Sequence, residues 1–117
     1  MPFIDILPSI PGPSEAEVPA FVARVAAITA RSLGKPESVM MVRLSPASTM
    51  QFAGTDGPCC FVDVRVIGTP GTDAAHALNA ALSSEMEVTL GIPAARVFVV
   101  FTDVSRSSWG VGGRMLG

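Results

Sequence analysis

Two stretches of this chain echo one another: Leu33–Leu44, "LGKPESVMMVRL", and Leu90–Phe101, "LGIPAARVFVVF". Each has Leu-Gly, one variable residue, Pro, a short link and then an apolar, strand-like run. Gly34 and Gly91 stand where a left-handed residue ends a helix, a conformation that costs glycine nothing because it has no Cβ. Pro36 and Pro93 lack the amide hydrogen that would carry a helix onward. Each echo therefore reads as a helix stop followed by a strand.

The residues before each echo agree. Val18, Phe21, Val22, Val25 and Ile28 recur at three- and four-residue steps and form one apolar helix face. Pro19 suits a first helical turn, which starts that helix near Val18. Ser14 and Glu17 also fit a capping box that starts it earlier, and the sequence leaves both starts open. Before the second echo, Ala75, Leu78, Leu82, Met86 and Leu90 make a similar stripe, with Thr72 as its N-cap. Strand-like runs lead into both helices, "FIDIL" from Phe3 and "CCFVDVRVIG" from Cys59.

The order is β-α-β twice over. Helices of this length return parallel strands to one sheet. The expected fold is α/β (α+β): duplicated β-α-β units forming a four-stranded mixed sheet with two helices. Residues 1–117 make one domain, with halves of about 1–55 and 56–117. The closing "SRSSWGVGGRMLG" is Gly-rich and reads as a short terminal ribbon or hairpin.

Composition narrows the function. Hydrophobic residues make up 49% of the 117 and charged residues only 15%, against about 25% charged in ordinary soluble domains. One small domain cannot bury that much apolar side chain alone, so subunit contacts are expected to take the excess. The net charge of −2 and the absence of a basic run argue against nucleic-acid binding. No apolar run approaches the ~20 residues of a membrane span, so no membrane insertion is expected. The start has no basic segment and no long apolar core, so it is not read as a signal peptide, and the cytoplasm is the expected compartment. Cys59 and Cys60 are adjacent, without CxxC spacing, and His76 is the single His, so neither dithiol chemistry nor a metal site is expected. They read as reduced, semi-buried thiols in a strand, and His76 as a helix-surface residue.

No GxSxG elbow, P-loop or strand-following GxGxxG is present. Two residues stand out by scarcity and position. Removal of Met1 makes Pro2 the first residue, and a terminal amine has an ordinary pKa of about 7.7–8.0. Burial beside Phe3 and Ile67 would penalise its charged form, leaving a base able to take a proton from carbon next to a carbonyl. The plainer reading is that Pro2 permits Met removal and packs at a strand start. Lys35 is the single lysine. It either complements a helix C-terminus or binds an anionic substrate and, near Pro2, disfavours the protonated amine.

Together "MPFIDI", "LGKPESVMM", "GTDGPC" and "VRVIGTPG", in order along essentially the whole chain, resemble the macrophage migration inhibitory factor family. D-dopachrome tautomerase, of the same family, is also similar. The resemblance implies a homotrimer whose sheets form a central barrel ringed by helices, with a site at each subunit boundary. It implies cofactor-independent keto–enol tautomerisation of small aromatic α-keto acids such as phenylpyruvate. On that resemblance Pro2 is the catalytic base, Lys35 binds the substrate carboxylate and Ile67 faces the ligand with its backbone. Phe3, Val39, Phe98, Val100, Trp109 and Met115 are implied to wall the pocket. The resemblance also implies a second role, as a cytokine-like binding protein with a protein receptor, and allows secretion without a leader.

The departures are specific. Phe98 and Val100 stand where macrophage migration inhibitory factor has Tyr and Asn, and the chain has no Tyr. Phe98 keeps the pocket's shape but offers no donor to an enolate oxygen. The CxxC is missing, with Cys59 matched and Val62 at the second position. The tail "SSWGVGGRML" is closer to the dopachrome branch.

Overall fold

Alternating apolar residues and two amphipathic stripes organise the chain in a computed structural model that describes all residues 1–117. β1 (Phe3–Pro8) leads through a proline-rich turn to α1 (Val18–Leu33), and β2 (Met41–Leu44) follows. β3 (Cys60–Ile67), α2 (Thr72–Glu85) and β4 (Val97–Val104) repeat the unit. The sheet order is β2-β1-β3-β4. β1 runs parallel to β2 and β3 parallel to β4, while β1 and β3 join the halves antiparallel. The duplicated β-α-β reading and the mixed four-stranded sheet are both realised.

Both helix ends form as the echo requires. Gly34 has φ +64° and Gly91 φ +70°, each in the left-handed region. The Lys35 N–H then donates to Ala30 O at 3.1 Å, and the Gly91 N–H to Glu87 O at 3.0 Å. α2 passes at Met86–Leu90 into a wider π turn that keeps Met86 and Leu90 buried.

Of the two starts left open for α1 the structure takes the later one, and α2 departs from its reading. α1 begins at Val18 with Pro19 in its first turn. The Ser14 hydroxyl donates to the Glu17 carboxylate at 2.6 Å, side chain to side chain, so the backbone bonds of a capping box do not form. Thr72 is the first residue of α2 rather than its cap. Gly71 holds the cap position, and no side chain caps it.

One face of the sheet supports both helices. Ile4, Ile6, Val62, Val64 and Val66 meet Phe21 and Val25 of α1 and Leu78, Leu82 and Met86 of α2. Arg24 ties the helices at the rim, 2.8 Å from the Glu85 carboxylate. The opposite face carries Phe3, Asp5, Arg43, Asp63, Arg65, Phe98 and Val100, by the two-residue alternation of strands, and no helix covers it. Only 20 of 117 residues are buried in the chain by itself, against 49% hydrophobic composition, so much apolar surface stays open. No helix is long and apolar enough to cross a membrane.

The tail forms the expected hairpin, β5 (Gly110–Val111) against β6 (Arg114–Met115). Gly112 and Gly113 turn it with φ of +62° and +82°, a pair that suits the right-handed twist of the strands.

Candidate functional site

Register brings Met41, Phe3 and Arg65 into one row across β2, β1 and β3. This row borders a cavity of about 740 Å³. Pro2 and Val39 line it from the chain start and the short turn before β2, and Val104, Trp109 and Val111 from the end of β4 and the hairpin. Four residues singled out from sequence, Pro2, Phe3, Val39 and Trp109, thus meet in one place. None of the lining residues is acidic, and Arg65 is the one basic side chain among them.

Pro2 is buried, and its carbonyl accepts the Met41 N–H at 3.1 Å. The strand pairing therefore begins at the proline itself, which sets the chain start against the cavity. Met1 is present, so the terminal amine is its own. Burial first, then the charges of Lys35 and Arg106, hold that amine below its ordinary value of 8.0.

Trp109 is held through the tail. Its N–H donates to Arg106 O at 3.2 Å and its carbonyl accepts the Leu116 N–H at 2.9 Å. The Arg106 guanidinium meets Leu116 O at 3.1 Å, which leaves its charge without a carboxylate partner.

Lys35 and Ile67 share a second cavity of about 260 Å³ with Leu33, Gly68 and Thr69. Asp103 fixes its outer loop, accepting from the Gly68 N–H at 3.0 Å and the Thr69 hydroxyl at 2.9 Å. The two cavities are neighbours: Ile67 pairs in register with Val104, which lines the larger one. Gly34 is what points Lys35 there, since its left-handed φ turns the chain at the end of α1.

Phe98, Val100 and Met115 are not brought to this chain's Pro2. Phe98 lies in the row of Phe61 and Leu7, four residues along the strands from the row of Phe3 and two strands across. That is about 16 Å from Phe3, and for Val100 about 12 Å. Phe98 instead meets the Phe52 ring, centroids 5.0 Å apart, and stays 56% exposed. Met115 is on the outer hairpin strand, where its sulfur lies over Gly110. Sequence reasoning passed over Arg65 and Arg106. Arg65 was within reach of it, because a strand residue two before Ile67 shares its face; Arg106 acts through a turn that no periodicity signals.

No group of three or more His, Cys, Asp or Glu is placed to hold a metal ion. Cys59 and Cys60 are both free and buried. Cys60, the first residue of β3, belongs to the helix-side core, and Cys59, just before the strand, does not. Burial, then the neighbouring Cys59, pushes the Cys60 thiol up to about 12.

Comparison with known proteins agrees across the whole chain. The sequence model of the family described as macrophage migration inhibitory factor matches residues 1–117. A macrophage migration inhibitory factor homolog of Trichuris trichiura is 32% identical over 101 residues, 86% of this chain and 89% of that one. The solved structure of macrophage migration inhibitory factor from Toxoplasma gondii superposes with TM-score 0.90 at 33% identity, covering 97% of this chain and 98% of that one. A homologue from Prochlorococcus marinus also gives 0.90, at 31% identity, over 98% of this chain and 99% of its own.

Proposed function

We propose that this chain, which belongs to the macrophage migration inhibitory factor family, is a cofactor-independent keto–enol tautomerase of phenylpyruvate-like α-keto acids. Its base is the amine that Pro2 gains when Met1 is removed. The observation that carries the reading is a buried Pro2 at a cavity where burial and two cations lower the pKa of a terminal amine. A neutral amine takes a proton from the carbon next to the keto group, and the keto oxygen gains one as the enol forms. In the reverse direction the ammonium returns a proton to carbon. Lys35 holds the substrate carboxylate, the Ile67 backbone faces the ligand, and Phe3, Val39 and Trp109 wall the aromatic ring.

The working unit is a homotrimer. The uncovered sheet face supports this, as does the separation of Phe98 and Val100 from their own Pro2. In the trimer these two residues enter the pocket of a neighbouring protomer. Because neither Phe98 nor Val100 carries a donor suited to an oxyanion, water supplies the proton to oxygen, and turnover is low for the family. The buried reduced thiols suit a cytoplasmic setting.

The test is phenylpyruvate tautomerisation by protein whose Met1 removal is verified by intact mass. Turnover that disappears in Met1-retaining protein supports the mechanism. Inactivity of the processed protein rejects it, and the apolar Phe98 and Val100 then favour a cytokine-like binding protein acting on a receptor.

A further inference from the structure

The open sheet face holds two arginines in different circumstances. Arg43 is engaged: its Nε and Nη2 meet the Asp5 carboxylate at 3.1 and 2.6 Å. Arg65 lines the larger cavity, and its one acidic contact is Asp63 at 3.4 Å. Strong charge-assisted bonds are shorter, about 2.7–2.9 Å, so most of the Arg65 donors stay available. No carboxylate lines the cavity to use them.

A ligand filling the cavity covers this guanidinium. Covering a loosely paired cation is unfavourable unless the ligand brings an anion. The carboxylate of a simple keto acid is already assigned to Lys35, beside Ile67 in the adjoining cavity. Arg65 and Ile67 share one face of β3, two residues apart, which is about 6.6 Å along the strand. Cations on adjoining cavities suit the two carboxylates of one ligand. The charges of Lys35 and Arg106 on the terminal amine add to the same cationic surround.

We propose that the pocket selects keto acids carrying a second carboxylate, with Lys35 binding the first and Arg65 the second through its planar, two-pronged guanidinium. This rests on the tautomerase reading for turnover and on the cavity alone for binding. The experiment compares processed wild type, Arg65→Met and Arg65→Lys in two assays. In the first, ketonisation of the enols of phenylpyruvate and oxaloacetate is followed. Arg65→Met should lower kcat/KM for oxaloacetate at least tenfold more than for phenylpyruvate, chiefly through KM, and Arg65→Lys should recover part of that selectivity. Equal losses on both substrates, as when Arg65 stacks on the aromatic ring, overturn the proposal, as does no loss on oxaloacetate. In the second, calorimetric titration with 2-oxoglutarate and phenylpyruvate needs no turnover. If wild type proves inactive, a selective weakening of 2-oxoglutarate in Arg65→Met still supports the proposal, and equal affinities across the variants overturn it.

Discussion

The rings of Phe52 and Phe98 meet edge to face, 5.0 Å between centroids and 66° between planes. Phe98 is thereby oriented on the uncovered face of the sheet, remote from its own Pro2. If it serves a neighbouring pocket, Phe98→Tyr adds a phenol donor there with little change of shape. We expect kcat for phenylpyruvate to rise roughly tenfold, about 1.4 kcal/mol of barrier, with KM nearly unchanged. Light scattering should give three times the 12.1 kDa chain mass. Unaltered kinetics in a stable monomer would place the whole site within one chain.

The lowered amine predicts the acid limb of the rate profile. Activity needs the neutral base, so kcat/KM should fall only below the ordinary 7.7–8.0 of a terminal amine. Burial first, and then Lys35, lowers the Met1 amine at this place, and the same charge acts on the Pro2 amine once Met1 is removed. Lys35→Ala should therefore move the limb to higher pH and also raise KM, with loss of up to a few kcal/mol in kcat/KM. A pH–rate series on both proteins checks the sign; a shift to lower pH contradicts it.

Asp5 is 7% exposed, and besides Arg43 it accepts the Ser45 hydroxyl at 2.7 Å. The Arg43 hydrogen bonds, then that of Ser45, outweigh burial and hold its carboxyl below the ordinary value. A depressed carboxyl pKa stabilises the fold above the unfolded value of about 3.9, and the benefit is lost as pH falls through the native one. Thermal melts should weaken below pH ~4. Asp5→Ala should remove about 1–3 kcal/mol at pH 7, since it strands the buried Ser45 hydroxyl; urea melts measure it.

The Cys60 thiol, pushed up to about 12, should stay protonated and unreactive to Ellman's reagent at pH 8 until the protein is unfolded. A raised thiol pKa means that stability declines as pH climbs from about 8.5 toward the native value. Insulin reduction should not be catalysed, because a working dithiol needs an accessible low-pKa thiolate. Catalysis that vanishes in Cys59→Ser would refute this.

Local chemistry made much of the fold legible. Glycines without a Cβ and prolines without an amide hydrogen ended two helices at matching places, at Gly34–Pro36 and Gly91–Pro93. Alternation and three-to-four-residue stripes then assigned strands and helices, because those periods follow from backbone geometry alone. Scarcity marked Pro2 and Lys35. The helix caps were less legible, since a turn's hydrogen bonds depend on how the chain enters it: Ser14 bonded the Glu17 side chain instead of the backbone.

Only the tertiary structure decided what shares a cavity. Strand order set Arg65 beside Phe3 and carried Phe98 two strands away, a lateral relation between segments distant in sequence that no local pattern encodes. It also divided the arginines, binding Arg43 closely to Asp5 and leaving Arg65, loosely held by Asp63, facing a cavity that no acid lines. The sequence by itself determined which residues could act as base and anion anchor, because that is a property of side-chain chemistry. Which of them meet, and how tightly each cation is paired, depended on pairing and register, because those set the distances over which charges act.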